Sequence, residues 1–236
     1  MLSLLALSTM VRWFSGARKS SCEEISSKEP AYSGFLLKGG LLLLMLLISQ
    51  CTYSQQKILI YDILRKNETI GTVEASRITK GAQTKYHVES HVAIRLFADI
   101  KVDVWLNSIY INGIMTEAWM RKTINGRDKT NNHLLKKNDG YCFINISGDT
   151  SSLQSSITRS ISTLYFTEPL NLEKIFSENF LRYVPLQNKG QGTYKILLPD
   201  GHVNSYTYKN GICTEVEMET QLSNVFLKLK SVTDNL

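Results

Sequence analysis

From residue 57 to residue 230, apolar and polar side chains alternate with a period of two, and short turn signals interrupt the alternation. Even positions from Tyr86 to Leu106 are mostly apolar (Tyr86, Val88, Val92, Ile94, Leu96, Ile100, Val102, Val104, Leu106), whereas their odd neighbours include His87, Glu89, His91, Arg95, Asp99, Lys101 and Asp103. Such a pattern belongs to strands with one buried face and one wet face. The span exceeds a normal strand of about 3–10 residues, so two elements with a bend or short helical turn near Ala93 to Ala98 are expected. The pairs Asn112-Gly113, Asn125-Gly126, Asp139-Gly140, Asp200-Gly201 and Asn210-Gly211 tolerate the positive φ that tight hairpins need.

This punctuation predicts strands near Lys57–Lys66, Thr69–Thr79, Thr84–Val92, Asp99–Ile111, Ile114–Ile124, Lys129–Lys136 and Tyr141–Ser147. Further strands are expected near Ile157–Thr163, Gly192–Leu198, His202–Lys209, Ile212–Thr220 and Leu222–Lys230. One helix is expected after Pro169, where Leu172, Ile175, Phe176 and Phe180 recur at three- and four-residue spacing behind Asn171 as N-cap. Short loops make consecutive strands antiparallel neighbours. The fold class that follows is all-β with one short helix: an antiparallel meander forming a strongly curved sheet or half-open barrel, in a single domain over residues 55–236.

The segment before that domain has the character of an address. Lys38 precedes an apolar run from Gly39 to Ile48, and Thr52-Tyr53-Ser54 follows. A run of about 10 residues has the length of a signal-peptide core, while a spanning helix takes about 20. Residues 35–54 are therefore read as a signal peptide cut after Ser54, and residues 1–34 as an N-terminal extension that is either upstream of the true start or an unusually long leader. The protein is expected to be periplasmic or secreted. Lipidation at Cys51, giving a form anchored to the outer membrane, is the alternative; Gln50 stands where such signals want a small residue.

The full chain of 236 residues carries 27 basic and 21 acidic side chains, and beyond Ser54 the excess falls to +4. No block of five or six like charges appears, so nucleic acid is excluded as a partner. Of four cysteines, Cys142 and Cys213 follow the signal segment. Alternation puts Cys142 with Ile144 and Ile146 on a core face and Cys213 with Glu215, Glu217 and Glu219 on a wet one, which predicts two separate thiols.

Catalytic patterns are sparse. His87, Glu89 and His91 share a strand face at intervals of about 6.6–6.8 Å, too far apart to hold one metal without a ligand from a neighbouring strand such as His133 or His202. A solvated polar face explains them as well. The serines of Thr150 to Ser156 lack a Gly-x-Ser-x-Gly elbow. Cys142 with His133 could form a thiol pair, but a small buried hydrophobe is the simpler reading. The acidic pairs Asp99/Asp103 and Glu215/Glu217 fall on wet faces, which leave carboxyl acidity ordinary. The expectation is a protein that is not an enzyme, with no cofactor and no metal.

The order of features resembles exported bacterial domains of unknown function with curved sheets similar to the lipoprotein-carrier (LolA/LolB-like) half-barrels. The matching residues are Tyr61-Asp62-Ile63, the hairpin into Ile70-Gly71-Thr72-Val73-Glu74-Ala75, the long strand through Tyr86, and Ile161-Ser162-Thr163-Leu164-Tyr165-Phe166 before a helix. The resemblance implies a curved sheet around an apolar cavity in the envelope of a Gram-negative cell. Trp105, Trp119, Tyr141, Phe143, Tyr165, Phe166, Phe176 and Phe180 would then fill the interior or line a cavity. The expected ligand is a lipid or other apolar small molecule, with Trp105, Trp119, Phe176 and Phe180 as contact residues. The other reading is an envelope interaction or scaffold protein with a filled core and no ligand.

Overall fold

The computed structural model describes residues 54–95, 99–138, 140–220 and 224–235. The expected leader, including Cys51, lies outside them apart from Ser54. Fourteen strands follow the chain. Eight come first: β1 (Ser54–Arg65), β2 (Glu68–Lys80), β3 (Gln83–Arg95), β4 (Asp99–Ile111), β5 (Ile114–Ile124), β6 (Arg127–Lys137), β7 (Gly140–Ile144) and β8 (Thr150–Leu153). A four-residue helix α1 (Ile161–Leu164) separates them from β9 (Lys174–Ser177), β10 (Arg182–Gly190), β11 (Thr193–Leu197), β12 (Val203–Lys209), β13 (Ile212–Met218) and β14 (Val225–Asn235).

All strands join one antiparallel sheet in the order β8-β7-β6-β5-β4-β3-β2-β1-β14-β13-β12-β11-β10-β9. It is a meander twice over, joined in the middle by pairing of the first strand with the last. The outer edges β8 and β9 are not paired with each other. Instead the sheet rolls past its own edge. Phe176 on β9 lies 6.0 Å, ring to ring, from Phe143 on the inner side of β7. Just beyond β9, the Glu178 and Asn179 carbonyls accept hydrogen bonds from the Asn132 side-chain amide on β6, at 3.0 and 2.8 Å. β9 therefore sits inside β6 and β7, and a continuous hydrogen-bonded barrel cannot form.

The space inside the roll is filled by the chain between β8 and β10. A segment crossing an apolar interior must satisfy its own backbone groups; backbone bonds such as Met115 N–H to the Ile157 carbonyl and Cys213 N–H to the Tyr165 carbonyl meet many of them, and tyrosines from the surrounding strands add others and tie down its side chains. The Tyr208 hydroxyl donates to the Leu164 carbonyl at 2.8 Å. The Tyr141 hydroxyl accepts from the Ile157 amide at 3.0 Å and donates to the Met115 carbonyl at 2.8 Å. Tyr110 meets the Ser160 hydroxyl at 2.7 Å, and Tyr194 donates to Glu168 at 2.8 Å. Their rings pack into the same core, with Tyr61 against Tyr165 and Tyr86 against Phe166, both at 5.6 Å.

Three local readings of the sequence are corrected. Residues Leu172 to Phe180 are not a helix: Lys174–Ser177 is β9, paired with Arg182–Pro185. Ile175, Phe176 and Ser177 are all buried, because β9 is covered on both faces, and this erased the two-residue period. Ile157–Thr163 is not a strand; helix α1 begins within it, and Ser160 and Thr163 form its capping box. The cysteines exchange places. Thr207 pairs with Glu215 but Tyr208 with Cys213, so Thr214 is an extra bulge residue that inverts the face beyond it. Cys213 is fully buried with Val216, while Ile144 and Ile146 are exposed and Cys142 is half-buried. Both thiols are free, and burial pushes that of Cys213 up to about 12.

Gly71 marks the closest approach of two strands. A Cβ there would strike the carbonyl oxygen of His91 on β3. Gly71→Ala is expected to destabilise the fold by about 2–3 kcal/mol through forced separation of β2 and β3. Gly201→Ala, with φ of +86° but open space around it, should lose only about 1 kcal/mol from backbone strain. Urea unfolding of both variants checks the order. In the same assay Tyr208→Phe, which strands the Leu164 carbonyl, should lose about 1–2 kcal/mol.

Candidate functional site

The rolled sheet has two faces of different chemistry. On the outer face, cross-strand pairing aligns His91 with Asp103, Glu89 with Trp105, and Trp105 with Arg121. The Trp105 indole N–H donates to Glu89 at 2.7 Å, and the Arg121 guanidinium lies 5.7 Å from the Trp105 ring centre. His91 bridges Asp103 at 2.8 Å and Glu89 at 3.0 Å. The bond from Asp103 raises the His91 imidazole pKa, and the Trp105 N–H lowers that of the Glu89 carboxyl. His87 bonds to Asn107 at 2.8 Å and also lies 3.6 Å from Glu89. Among the described residues no group of three His, Cys, Asp or Glu is arranged to hold a metal ion. His133 is paired with Trp119 on the same outer face, and His202 pairs with Asp200 in a turn of the other half. The row reads as a cross-strand polar network on an exposed surface.

The aromatic residues expected to contact a ligand are divided by this geometry. Trp105 and Trp119 occupy the outer face, where the Trp119 indole donates to Asn131 at 3.0 Å. Phe176 is fully buried between β9 and β7. Phe180 alone of the four borders a cleft on the concave side. That cleft holds about 230 Å³ and is lined by Val104, Leu106, Met120, Ile161, Phe180, Leu198 and Met218, with Lys122, Ser177, Glu178, Asn179 and Asn204 as its polar members. It is the part of the roll's interior that the crossing segment leaves open.

Glu178 is the unusual group at its wall. The side chain is only 2% exposed. Its Oε1 accepts the Ser162 amide at 3.3 Å, while Oε2 has no hydrogen-bond partner. Behind it runs a buried chain of hydroxyls: Ser162 to Ser160 at 3.0 Å, Ser162 to Ser108 at 2.6 Å, and Ser160 to Tyr110 at 2.7 Å. On its other side, packing against Ala118, Met120, Asn132, Leu134, Phe176 and Leu181 leaves no room for a water molecule. Burial raises the Glu178 pKa above the ordinary carboxyl range, against the opposing pull of the serine hydrogen bonds.

Nothing in the strand alternation pointed to Glu178, Lys122 or the serine chain, because Glu178 fell inside an expected helix. An acid between Ile175-Phe176 and Phe180-Leu181 was the available signal. The arrangement offers a mostly apolar trough with Lys122, Ser177, Glu178, Asn179 and Asn204 as its polar members.

A model of a domain of unknown function, DUF6134, matches residues 61–230, the whole rolled sheet apart from its terminal strand ends. The chain belongs to the DUF6134 family. The DUF6134 fold is similar to the crystal structure of a beta-barrel-like protein of domain of unknown function DUF1849 from Brucella abortus. The two share a TM-score of 0.51 at 11% identity, covering 76% of this chain and 98% of that one. At that identity the likeness concerns the fold alone. No curated protein matches the chain.

A buried acid with a raised pKa gives this DUF6134 protein a defined pH signature. Below the ordinary carboxyl pKa of about 4.3 both folded and unfolded chains hold the Glu178 proton. As pH climbs from there to the raised folded value, the unfolded chain releases it first, and folding stability falls. Glu178→Gln, an isostere of the neutral acid, should match the parent near pH 4 and become the more stable of the two by pH 8. Thermal unfolding across that range checks it; a difference independent of pH would contradict the assignment.

Proposed function

We propose that this DUF6134 protein is a non-catalytic binding protein of the periplasm or the secreted space that takes a lipid-like apolar chain into the concave cleft. One observation carries the reading. The rolled sheet and its crossing segment leave a trough walled by Val104, Leu106, Met120, Ile161, Phe180, Leu198 and Met218. Concave, mostly apolar clefts with a few polar groups are the usual form of small-molecule sites. The volume lies below the range of about 300–1,000 Å³ typical of pockets that enclose drug-sized ligands. It therefore suits part of a narrow chain better than a fused ring system. Each methylene that enters contributes about 0.8 kcal/mol, so affinity rises with chain length and needs no specific polar motif. Export rests on the apolar run from Gly39 to Ile48 behind Lys38. The resemblance to lipoprotein-carrier half-barrels supports the choice of an acyl-like ligand.

A second reading has its own support. Most of the interior is filled by the chain itself, and β8 leaves one edge unpaired. A scaffold or envelope interaction protein would use that edge for a partner strand.

Titration with decanol, followed by native mass spectrometry and calorimetry, separates the two. The binding reading expects one molecule per chain and loss of uptake in Val104→Trp, which fills the trough. Phe180→Ala should weaken binding about tenfold through lost apolar contact, and Trp119→Ala, on the outer face, should change nothing. Failure of the parent protein to take up decanol would favour the ligand-free scaffold.

A further inference from the structure

The tucked edge of the roll is held by a short turn. Residues 178–181 join β9 to β10, and β6 grips them from outside. The Asn132 amide donates to the Glu178 and Asn179 carbonyls, and the Thr130 hydroxyl donates to the Asn179 side chain at 3.3 Å. The turn closes on Leu181 at a φ of +51°, a left-handed conformation that bulky side chains seldom adopt. Leu181 packs with Glu178 against β5 and β6, in contacts that admit no water.

Glu178 is the weak point of that grip. Its Oε2 is closed off from solvent and has no hydrogen-bond partner, and Oε1 accepts only the long bond from the Ser162 amide. A bare carboxylate in such a place is strongly disfavoured, so the group either keeps its proton or reaches water. Groups on the surrounding elements give a charge no relief. Among the described residues no ion pair joins Lys122 on β5 to Glu178. Arg159 in the crossing segment, Lys174 on β9 and Arg182 on β10 are exposed. Tyr110 on β4, Tyr165 in the crossing segment and Tyr206 on β12 are phenols that burial keeps protonated. β6 faces it with neutral Asn132 and Leu134.

We propose that Glu178 is a proton-operated latch: while it holds its proton the turn stays tucked inside β6, and loss of the proton carries Glu178 to water and frees the tip of the β9–β10 hairpin. The ladder permits such a local release. β10 pairs with β9 through Arg182–Pro185 and with β11 from Leu186 onward, so the tip can leave while the rest of the sheet stays paired. Ser177, Asn179 and Phe180 also wall the trough. Release therefore opens the interior of the roll beside it, whatever the trough holds. Acid closes the latch, and rising pH loosens it.

Amide hydrogen exchange on the full folded chain, measured from pH 4 to pH 8 and corrected for the intrinsic rate, tests this. Residues 174–186 should be at least a hundredfold less protected than the β1–β2 hairpin at pH 8. Their exchange should scarcely change in 1 M urea, because a local opening exposes little surface. Between the ordinary carboxyl value of about 4.3 and the raised folded value, their protection should fall by up to tenfold per pH unit. Glu178→Gln should match the parent at pH 4 and keep the pH 4 protection at pH 8. Should that variant fail to fold, Glu178→Met, of similar length and uncharged, takes its place. Two results would overturn the latch. One is protection and urea dependence in residues 174–186 equal to those of β1–β2, which would leave Glu178 acting on global stability alone. The other is a pH slope that survives removal of the carboxyl.

Discussion

A polypeptide segment running through the inside of a rolled sheet has to find partners for every backbone N–H and C=O without help from bulk water. That requirement organises this protein. The crossing chain between β8 and β10 is neither a long helix nor a paired strand for most of its length, so its carbonyls and amides are met by scattered backbone bonds and by side chains from the surrounding strands. Tyrosine answers the need because its ring fills apolar space while its hydroxyl reaches a polar group about 6 Å beyond the backbone. Tyr110, Tyr141, Tyr194 and Tyr208 stand on four different strands and all end on residues of that segment. Burial raises the pKa of each hydroxyl, which keeps it protonated and bonded.

The same segment decides why the sheet remains open. β9 is tied to the inside of β6 and β7 through Phe176 and the Asn132 amide, so the two edge strands overlap instead of meeting side by side. An overlapped roll leaves unequal space inside. Where the segment packs against β5, β6 and β7 nothing larger than an interstice survives. Toward β4, β12 and β13 a trough persists, with Glu178 in its wall. The site and the failure to close thus share one cause.

The outer face follows different rules. There, alternating charges and indoles make cross-strand contacts between groups that remain in reach of water, where ion pairs contribute little individually. The likeness to the DUF1849 fold at 11% identity fits a structure set by roll geometry and not by particular surface residues.

How much of this was legible along the chain differs by element. The hairpins of β1 to β7 and β11 to β14 were readable because each strand has one wet and one dry face, and because Asn-Gly and Asp-Gly pairs mark the reversals. Residues 150–190 were not. A strand buried on both sides loses its period, and Leu172, Ile175, Phe176 and Phe180 then fit helical spacing by coincidence. One bulge at Thr214 sufficed to move Cys213 to the buried face, since a single extra residue inverts every side chain beyond it. The aromatic ligand contacts were divided for a related reason: alternation already assigned Trp105 to the polar face, and hydrophobic bulk was the only argument for bringing it inside. The alternation by itself determined an antiparallel, curved, all-β domain. The tertiary structure alone decided which edge tucks under which and that Glu178 and Lys122 line one trough, because both depend on approaches between residues far apart in the chain that no local period records.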